Sequence, residues 1–498
     1  MKMNNRILIL LIIAFSCGCE NHLEIHPTDR INTQSYYQTE EDAIGAINAA
    51  YAPLQYEGSF KKELWIFGDI MSDDAVKAGA GAGDGIATSK IEDFTLTADN
   101  ERVYFLWAAH YSGVYYSNAV LQKVPEMDID PELKERILGE AYFLRATYYF
   151  YLAVYFGDVP LYSTVPDPNN LNVARTAVEK VWDQVISDYQ EAAKRLPVEY
   201  TGEDVGRALR GGAYGMLAKT YLILERWEDC INACEKVEEI SRHYLLPDYS
   251  DLWNYLSSNN NDEVLFDIQH HYYDGGWNGT GNYISEYTAP RYRFIGENRG
   301  WGWGVPSVNH VENSYEPGDT RKKVNIISPG DSIWNMNEKE WYVHKAEFSP
   351  FTGYNVKKYL FLEYDGTNAS MMFFPLNFHA LRLADVLLMH AEALNEKNGG
   401  SAKAHELVNQ IRRRAFQDEE HDLVGLNQSQ LREAIYQERR AELFFEGWRW
   451  IDLVRTGRVE EAMIDFGKTN FNPERHMLLP IPQSEMDINP KLIQNPGY

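Results

Sequence analysis

Apolar residues recur at helical spacing along most of the first half and the last quarter of the chain. Residues 39–55, TEEDAIGAINAAYAPLQ, predict a helix capped by Thr39, because a threonine followed three residues later by an acid can bond the first turn. A longer helix is predicted to open at Pro131 and to close at Gly157. Residues 177–197 show the pattern of an amphipathic helix. Most of the chain is therefore predicted to be helical.

Two stretches have the small and apolar positions of tetratricopeptide-like helix pairs, residues 207–240 and residues 381–415. Cys230 and Cys234 occupy small positions of the first pair. We interpret them as packing residues, because no further cysteines complete a zinc site. The fold class expected is mostly α, with tetratricopeptide-like helical hairpins and a loop-rich, aromatic-rich insertion that carries short strands.

The insertion is placed at about residues 245–378, where DEVLFDIQHHY and NVKKYLFLE have the alternating or β-branched character of strands. We expect four segments: a signal peptide, an N-terminal helical region, the insertion with the ligand site, and a C-terminal helical region. Their bounds are 1–18, 19–244, 245–378 and 379–498. The two helical regions are expected to pack as one globule, which would leave the insertion exposed on one face.

The N-terminus has the layout of an export signal, with basic residues at Lys2 and Arg6 before an apolar run at residues 7–15. That run is too short to span a bilayer, which takes about 20 apolar residues. Small residues and a cysteine follow, which is typical of a lipoprotein signal. Cys19 is the expected acylated residue, Cys17 is the competing acceptor, and an ordinary secreted protein is the alternative.

Composition narrows the classes of partner. The 498 residues include 73 acidic and 47 basic ones, a net charge of -26, which argues against nucleic acid as a partner. The 33 tyrosines and 12 tryptophans are more than a helical core normally uses.

Catalytic and metal-binding motifs do not emerge. There is no HExxH and no GxSxG, and AMIDFGKT lacks the first glycine of a phosphate loop. Asp73 and Asp74 could form a glycosidase pair, but an adjacent pair of acids is a weak signal in so acidic a chain. His270 and His271 could suggest a metal site, but adjacent side chains point in different directions in a helix or a strand. We expect no catalytic residue, no metal and no cofactor.

Several motifs, in one order from end to end, resemble the SusD/RagB family of Bacteroidetes outer-membrane lipoproteins. They include GEAYFLRATYYFYLAVYFGDVPL, VNHVENSYEPGDTR, IYQERRAELFFEGWRWIDLVRTG and LLPIPQSEMDINPKLIQNPGY. After Cys19, the spacing of Leu23, Glu24 and Pro27 is similar to the start of mature family members, which is why Cys19 is preferred over Cys17.

The resemblance implies a helical scaffold at the cell surface that binds oligosaccharide without catalysis. The implied partner is a SusC-like TonB-dependent outer-membrane transporter, over which the protein would act as a hinged lid. Some relatives carry peptides, so a peptide-binding lipoprotein of the same fold is the alternative, and a glycosidase is a distant third. The signature helices are scaffold, and six of their large apolar residues are expected in the core or at helix interfaces: Phe143, Leu144, Tyr149, Phe150, Trp448 and Trp450.

In starch-binding relatives the ligand contacts come from two loop regions, which correspond here to residues 73–100 and 270–303. The first contains AGAGAGDGIATS and no tryptophan, a departure that puts starch itself in doubt. The second contains NRGWGWGVPS, whose two rings would lie on one face of an extended segment, unless one folds back onto the body beside Pro306. The predicted ligand-binding residues are Trp277, Trp301, Trp303, Tyr283, Tyr292, Arg291, Asn278 and Glu297.

Overall fold

The computed structural model describes residues 36–81, 83–167, 171–240, 242–254, 256–271, 281–291, 300–335, 340–360 and 375–498. Helices dominate this part of the chain, so the mostly α fold is confirmed. They are α1 (Glu40–Tyr51), α2 (Glu63–Trp65), α3 (Ile86–Glu92), α4 (Glu101–Lys123), α5 (Pro131–Phe156), α6 (Val178–Arg195), α7 (Arg210–Ile223), α8 (Trp227–Ile240), α9 (Ile284–Thr288), α10 (Val308–Asn313), α11 (Arg321–Asn325), α12 (Leu383–Asn398), α13 (Ala402–Phe416), α14 (Gln428–Glu442), α15 (Arg449–Arg455), α16 (Val459–Asp465), α17 (Pro473–His476) and α18 (Gln483–Ile488). Among the described residues, none of these helices is long and apolar enough to cross a membrane.

Shorter elements connect the helices. The described strands form four antiparallel pairs: β1 (Ala75–Lys77) with β3 (Gly304–Pro306), β2 (Val264–Ile268) with β8 (Phe378–Arg382), β4 (Ile326–Ile327) with β7 (Asn355–Val356), and β5 (Ser332–Asn335) with β6 (Glu340–Val343). The π-helical segments are Glu57–Lys61 and Ile66–Ile70. The 3-10 helices are Ala52–Gln55, Val124–Glu126, Gly202–Asp204, Tyr249–Leu252 and Ala346–Phe348.

The predicted helix ends are confirmed. The Thr39 hydroxyl accepts a hydrogen bond from the Asp42 N–H, and the Asp42 carboxylate accepts one from the Thr39 N–H, which completes a capping box. Helix α5 begins at Pro131 behind the capping side chain of Asp130, and it ends at Gly157 with a φ of 68°. The scaffold residues predicted for the core are buried there: Phe143, Leu144, Tyr149, Phe150, Trp448 and Trp450.

The two predicted helix pairs are present as α7 with α8 and α12 with α13, and they pack against each other. Cys230 and Cys234 are free and buried on α8. Their thiols approach the carbonyls of Met389 and Val386 on α12, at Sγ–O distances of 4.0 and 3.7 Å. The small side chains thus allow α8 and α12 to approach closely, as the sequence interpretation proposed.

Buried arginines join the C-terminal helices to the insertion. Arg382, at the end of β8, donates to Glu263, Glu442 and Glu446 over 2.8–3.0 Å, and Arg414 bonds Glu263 and Glu442. Burial alone would raise the pKa of Glu442, but the Arg414 and Arg382 guanidinium groups lower it. Removing one member would strand a buried charge, so this network fixes the insertion to the helical scaffold.

The described part of the insertion buries many of its aromatic side chains, although the expectation was only that one of its faces would be exposed. Tyr249, Trp253, Tyr287 and Tyr359 are buried, and β2 pairs with β8 beside the C-terminal helices. The helical hairpins leave space that these rings fill, and aromatic side chains bury more apolar area than any other residue. Many of the aromatic residues of the chain therefore belong to the core. A ligand can contact only the aromatic residues that remain accessible.

Candidate ligand-binding cleft

A two-stranded ribbon brings the two predicted loop regions together. β1 pairs with β3 so that Lys77 lies opposite Gly304, and the Ala78 N–H continues the ladder by donating to the Trp303 carbonyl over 2.7 Å. The glycine-rich loop at residues 78–85 follows β1, and the GWGWG segment precedes β3. The pairing therefore places the glycine loop directly beside the tryptophans.

Trp303 is folded back into this loop and is only 8% exposed. Gly79 and Gly85, at φ of 91° and 67°, face its ring, and a Cβ at either position would lie within 2.9 Å of a ring atom. Only glycine combines these backbone angles with so close an approach. The glycine loop thus packs around the indole ring of Trp303. It contains no tryptophan itself, and the ring comes from the other loop.

Asp84 fastens the loop to that ring. Its Oδ2 accepts hydrogen bonds from the Trp303 indole N–H over 2.9 Å, from the Ala80 N–H over 2.8 Å and from Arg291 Nη1 over 3.3 Å. The Lys77 ammonium donates to the Asp84 carbonyl. Partial burial would raise the pKa of Asp84, but these hydrogen bonds and the neighbouring positive charges lower it, so the group is a carboxylate at neutral pH.

Trp301 is half-buried and keeps part of its ring open to solvent. Its ring stands edge-to-face with Tyr287 at a centroid distance of 5.0 Å and contacts Trp303 at 5.9 Å. Its backbone N–H donates to the Glu286 carbonyl over 2.7 Å. Trp301 is therefore held in a fixed orientation at the cleft. The ring of Trp303 folds back onto the body of the protein, which was the alternative expected for one of the two tryptophans.

Trp301 and Trp303 line one cleft of about 670 Å³ together with the glycine loop, Asp84 and Arg291. A recess of about 240 Å³ adjoins it and shares Ala80 and Arg291. Phe348 and Phe351 line this recess, and Phe351 is largely exposed. Asp84, Phe348 and Phe351 line this site but are not among the residues predicted from the sequence. An aromatic residue in the turn-rich stretch FSPFTGY was a signal for Phe351.

The remaining predicted residues divide into two groups. Tyr283 is buried in the interior, where the Lys61 ammonium lies 3.8 Å from its ring centroid, so it has almost no surface to offer a ligand and does not line the cleft. Trp277, Asn278, Tyr292 and Glu297 lie outside the described residues. Of the eight predicted residues, the structure brings Trp301, Trp303 and Arg291 together.

The adjacent acids Asp73 and Asp74 are engaged in ion pairs beneath β1. Asp73 accepts two hydrogen bonds from Arg449 at 2.7 and 2.8 Å, and Asp74 lies 2.6 Å from Arg440 and 3.0 Å from His310. Burial would raise the pKa of Asp74, but Arg440 and His310 hold it well below its ordinary value. A proton-donating acid of a glycosidase needs the opposite shift. Among the described residues there is also no cluster of three His, Cys, Asp or Glu side chains able to hold a metal ion.

The comparisons with known proteins cover almost the whole chain. The model of the SusD family matches residues 254–498, and a model described as "Starch-binding associating with outer membrane" matches residues 46–222. A SusD-like protein of Formosa agariphila is 29% identical over 100% of both chains. Another SusD-like protein, from Bacteroides ovatus, is 27% identical over 91% of this chain and 82% of its own.

Solved structures agree with the fold. A SusD-like protein from Bacteroides fragilis gives a TM-score of 0.80 at 24% identity, with 95% of this chain and all of that chain covered. A laminarin-binding SusD-like protein gives a TM-score of 0.78 at 28% identity, with 93% of this chain and all of that chain covered. The family motifs, the helical fold and both family models agree, and the chain belongs to the SusD/RagB family, whose members associate with the outer membrane.

Proposed function

We propose that the cleft around Trp301 binds an oligosaccharide and that the protein captures this glycan at the cell surface for import. The observation that carries the proposal is the half-buried ring of Trp301, which lines the cleft beside the Asp84–Arg291 pair. A sugar ring has a face of C–H groups and a rim of hydroxyls. The indole face takes up the first, while the carboxylate accepts and the guanidinium donates hydrogen bonds to the second.

The dimensions support an oligosaccharide over a single small molecule. A cleft of about 670 Å³ with an adjoining recess of about 240 Å³ offers room along a line from Trp301 past Arg291 to Phe351. Ligand sites of about 300–1,000 Å³ are typical of proteins. An aromatic side chain at each end of this line, half-buried Trp301 and exposed Phe351, is suited to successive sugars of one chain.

Laminarin is the first glycan to test, because the laminarin-binding relative shares both fold and 28% identity with this chain. Affinity electrophoresis of the purified protein in gels with and without laminarin, and with a panel of other polysaccharides, tests the proposal. Retardation by at least one polysaccharide is the expected result. Uniform migration across the panel, together with binding of mixed peptides, would favour the peptide-binding alternative.

We infer three further points. The first is that the protein is a binding component and not an enzyme, and the second is that acylation of Cys19 anchors it. The third is that a SusC-like TonB-dependent transporter receives the glycan, with this protein acting as its lid. The ion pairs of Asp73 and Asp74 support the first part, since both carboxylates are engaged by arginine side chains and the pKa of Asp74 is lowered, the opposite of what a glycosidase acid needs. The motif spacing after Cys19 and the outer-membrane association of the family support the second. Release of reducing sugar by the purified protein would contradict the first part.

A further inference from the structure

A second groove, of about 460 Å³, lies between α4, the segment after Pro160 and the C-terminal segment that contains α18. It shares no lining residue with the Trp301 cleft. Hydrogen bonds to backbone carbonyls connect the three walls. The Tyr111 hydroxyl donates to the Pro160 carbonyl over 2.8 Å, and the Asn118 side chain donates to the Tyr162 carbonyl over 2.9 Å. The Asn489 side chain of the C-terminal wall donates to the Val173 carbonyl over 2.8 Å. The groove is therefore a built feature of the fold.

Aromatic rings form one wall of this groove. Trp107 and Tyr111 are 4.7 Å apart between ring centroids, and Tyr111 and Tyr162 are 6.1 Å apart. Tyr115 is 46% exposed and its neighbour Tyr116 is also exposed, although both belong to a helix packed on the core. Between its first and last turns, α4 presents no charged side chain to solvent, since Arg102 and His110 are buried. An uncharged aromatic surface of this kind is unusual on a helix that faces only solvent, and it is typical of a contact site.

One carboxylate lies among these rings. Glu485 accepts a hydrogen bond from Trp107, and burial raises its pKa. Its charge also contributes to the raised pKa of Tyr111 and of Tyr162, after burial as the larger cause. Among the described residues, no lysine or arginine lines the groove or forms an ion pair with Glu485. A half-buried carboxylate in an aromatic setting attracts a cation through its charge and through the ring faces.

The rest of the lining selects the kind of occupant. Leu171 and Ile488 are largely exposed at the rim, and Leu492 lies in the wall. Aliphatic side chains pack on apolar protein side chains and give a sugar no flat face to stack on. We propose that this groove docks an extended segment of another protein, in which one lysine or arginine is flanked by apolar side chains. The cation would meet Glu485 and Tyr111, and its neighbours would cover Leu171 and Ile488.

Site-specific photo-crosslinking in cells that produce the full chain tests this proposal. The photoreactive residue p-benzoylphenylalanine replaces Tyr115 or, in a second variant, Ile488. A matched control places it at Val424, which is 82% exposed and does not line the groove. The expected result is an adduct from both groove positions whose captured peptide carries lysine or arginine next to apolar residues. The isosteric change Glu485→Gln, combined with either position, is expected to lower adduct yield about tenfold.

Four outcomes would overturn the proposal. They are an adduct yield no higher than at Val424, a captured peptide without a basic residue, an adduct within the same chain or to a polysaccharide, and a yield unchanged by Glu485→Gln. Glu485→Gln does not touch the Trp301 cleft, so its laminarin retardation should equal that of the unmodified protein. Failure of glycan binding and failure of this docking proposal are therefore separate results.

Discussion

The indole N–H of Trp303 donates to Asp84 Oδ2 over 2.9 Å, and this bond joins the two segments that form the cleft. The ring fills the space between Gly79 and Gly85, and the carboxylate holds Arg291 at the cleft surface. Trp303 thus supports the site from beneath, while Trp301 offers the surface that a ligand would meet. The predictions below separate these two roles.

Trp303→Ala is expected to destabilise the fold as well as weaken glycan binding. Removing a ring that is 8% exposed leaves a cavity, and such changes cost about 3–5 kcal/mol. The free energy of unfolding, measured by urea titration, should fall by that amount. Trp303→Ala with unchanged unfolding would contradict the supporting role of this ring.

Gly85→Ala is expected to disturb the glycine loop, and Gly83→Ala is its matched control. A Cβ at Gly85 would lie 2.8 Å from the Trp303 ring at a φ of 67°, whereas nothing lies within 4 Å of a Cβ at Gly83. Strain of this kind costs about 1–3 kcal/mol. Gly85→Ala should therefore lower the melting temperature, and Gly83→Ala should leave it unchanged. Equal effects at the two positions would show that the packing on Trp303 is unimportant.

His110 is expected to make the fold sensitive to acid. Burial lowers its pKa to about 4, and its neutral ring donates to the Leu106 carbonyl over 2.7 Å. The unfolded chain, with an ordinary histidine pKa near 6.5, binds this proton first, so the free energy of unfolding falls as pH decreases from about 6.5 to about 4. The contribution is about 3 kcal/mol at most over that range.

His110→Phe removes this titration and keeps a ring between Tyr148 and Tyr151. The difference in unfolding free energy between the two proteins should therefore change with pH below 6.5. A difference that stays constant from pH 7 to pH 4 would contradict the lowered pKa.

Cys19→Ala is expected to release the protein from the membrane, because acyl chains contribute about 0.8 kcal/mol per buried CH₂ and the variant cannot carry them. Cell fractionation followed by immunoblotting measures the membrane-bound share. Cys17→Ala is the control and should remain in the membrane fraction. The reverse pattern would identify Cys17 as the acceptor.

Much of the scaffold could be predicted because its signals are local. Each of these signals acts within one or two turns of a helix. They are the capping box at Thr39, the helix ends at Pro131 and Gly157, and the small side chains of Cys230 and Cys234. The burial of the insertion could not be predicted, because alternation along a short strand does not show which distant surface the strand will meet. β2 pairs with β8, more than 100 residues away.

The cleft was predictable in part for the same reason. Trp301, Trp303 and Arg291 lie close in the sequence to a conspicuous glycine pattern, and they meet in the structure. Asp84 belongs to the other loop, and its role depends on the pairing of β1 with β3. That pairing could not be predicted, because strands of three residues give too short a sequence pattern. Tyr283 belongs to the same aromatic-rich stretch of sequence, but it caps the N-terminus of α9 and is buried in the core.

Titration of laminarin into the unmodified protein and into Trp301→Ala, by isothermal calorimetry, tests the central claim most directly. Trp341→Ala is the control, since Trp341 is 68% exposed and lines neither the cleft nor its recess. Loss of a ring that anchors a ligand costs about 2 kcal/mol, or about thirtyfold in affinity. Trp301→Ala should show that loss with a smaller fall in melting temperature than Trp303→Ala, because the Trp301 ring is only half-buried against the core, and Trp341→Ala should bind as the unmodified protein does. Equal affinity in all three proteins, or no binding of laminarin or any other polysaccharide by the unmodified protein, would contradict the account.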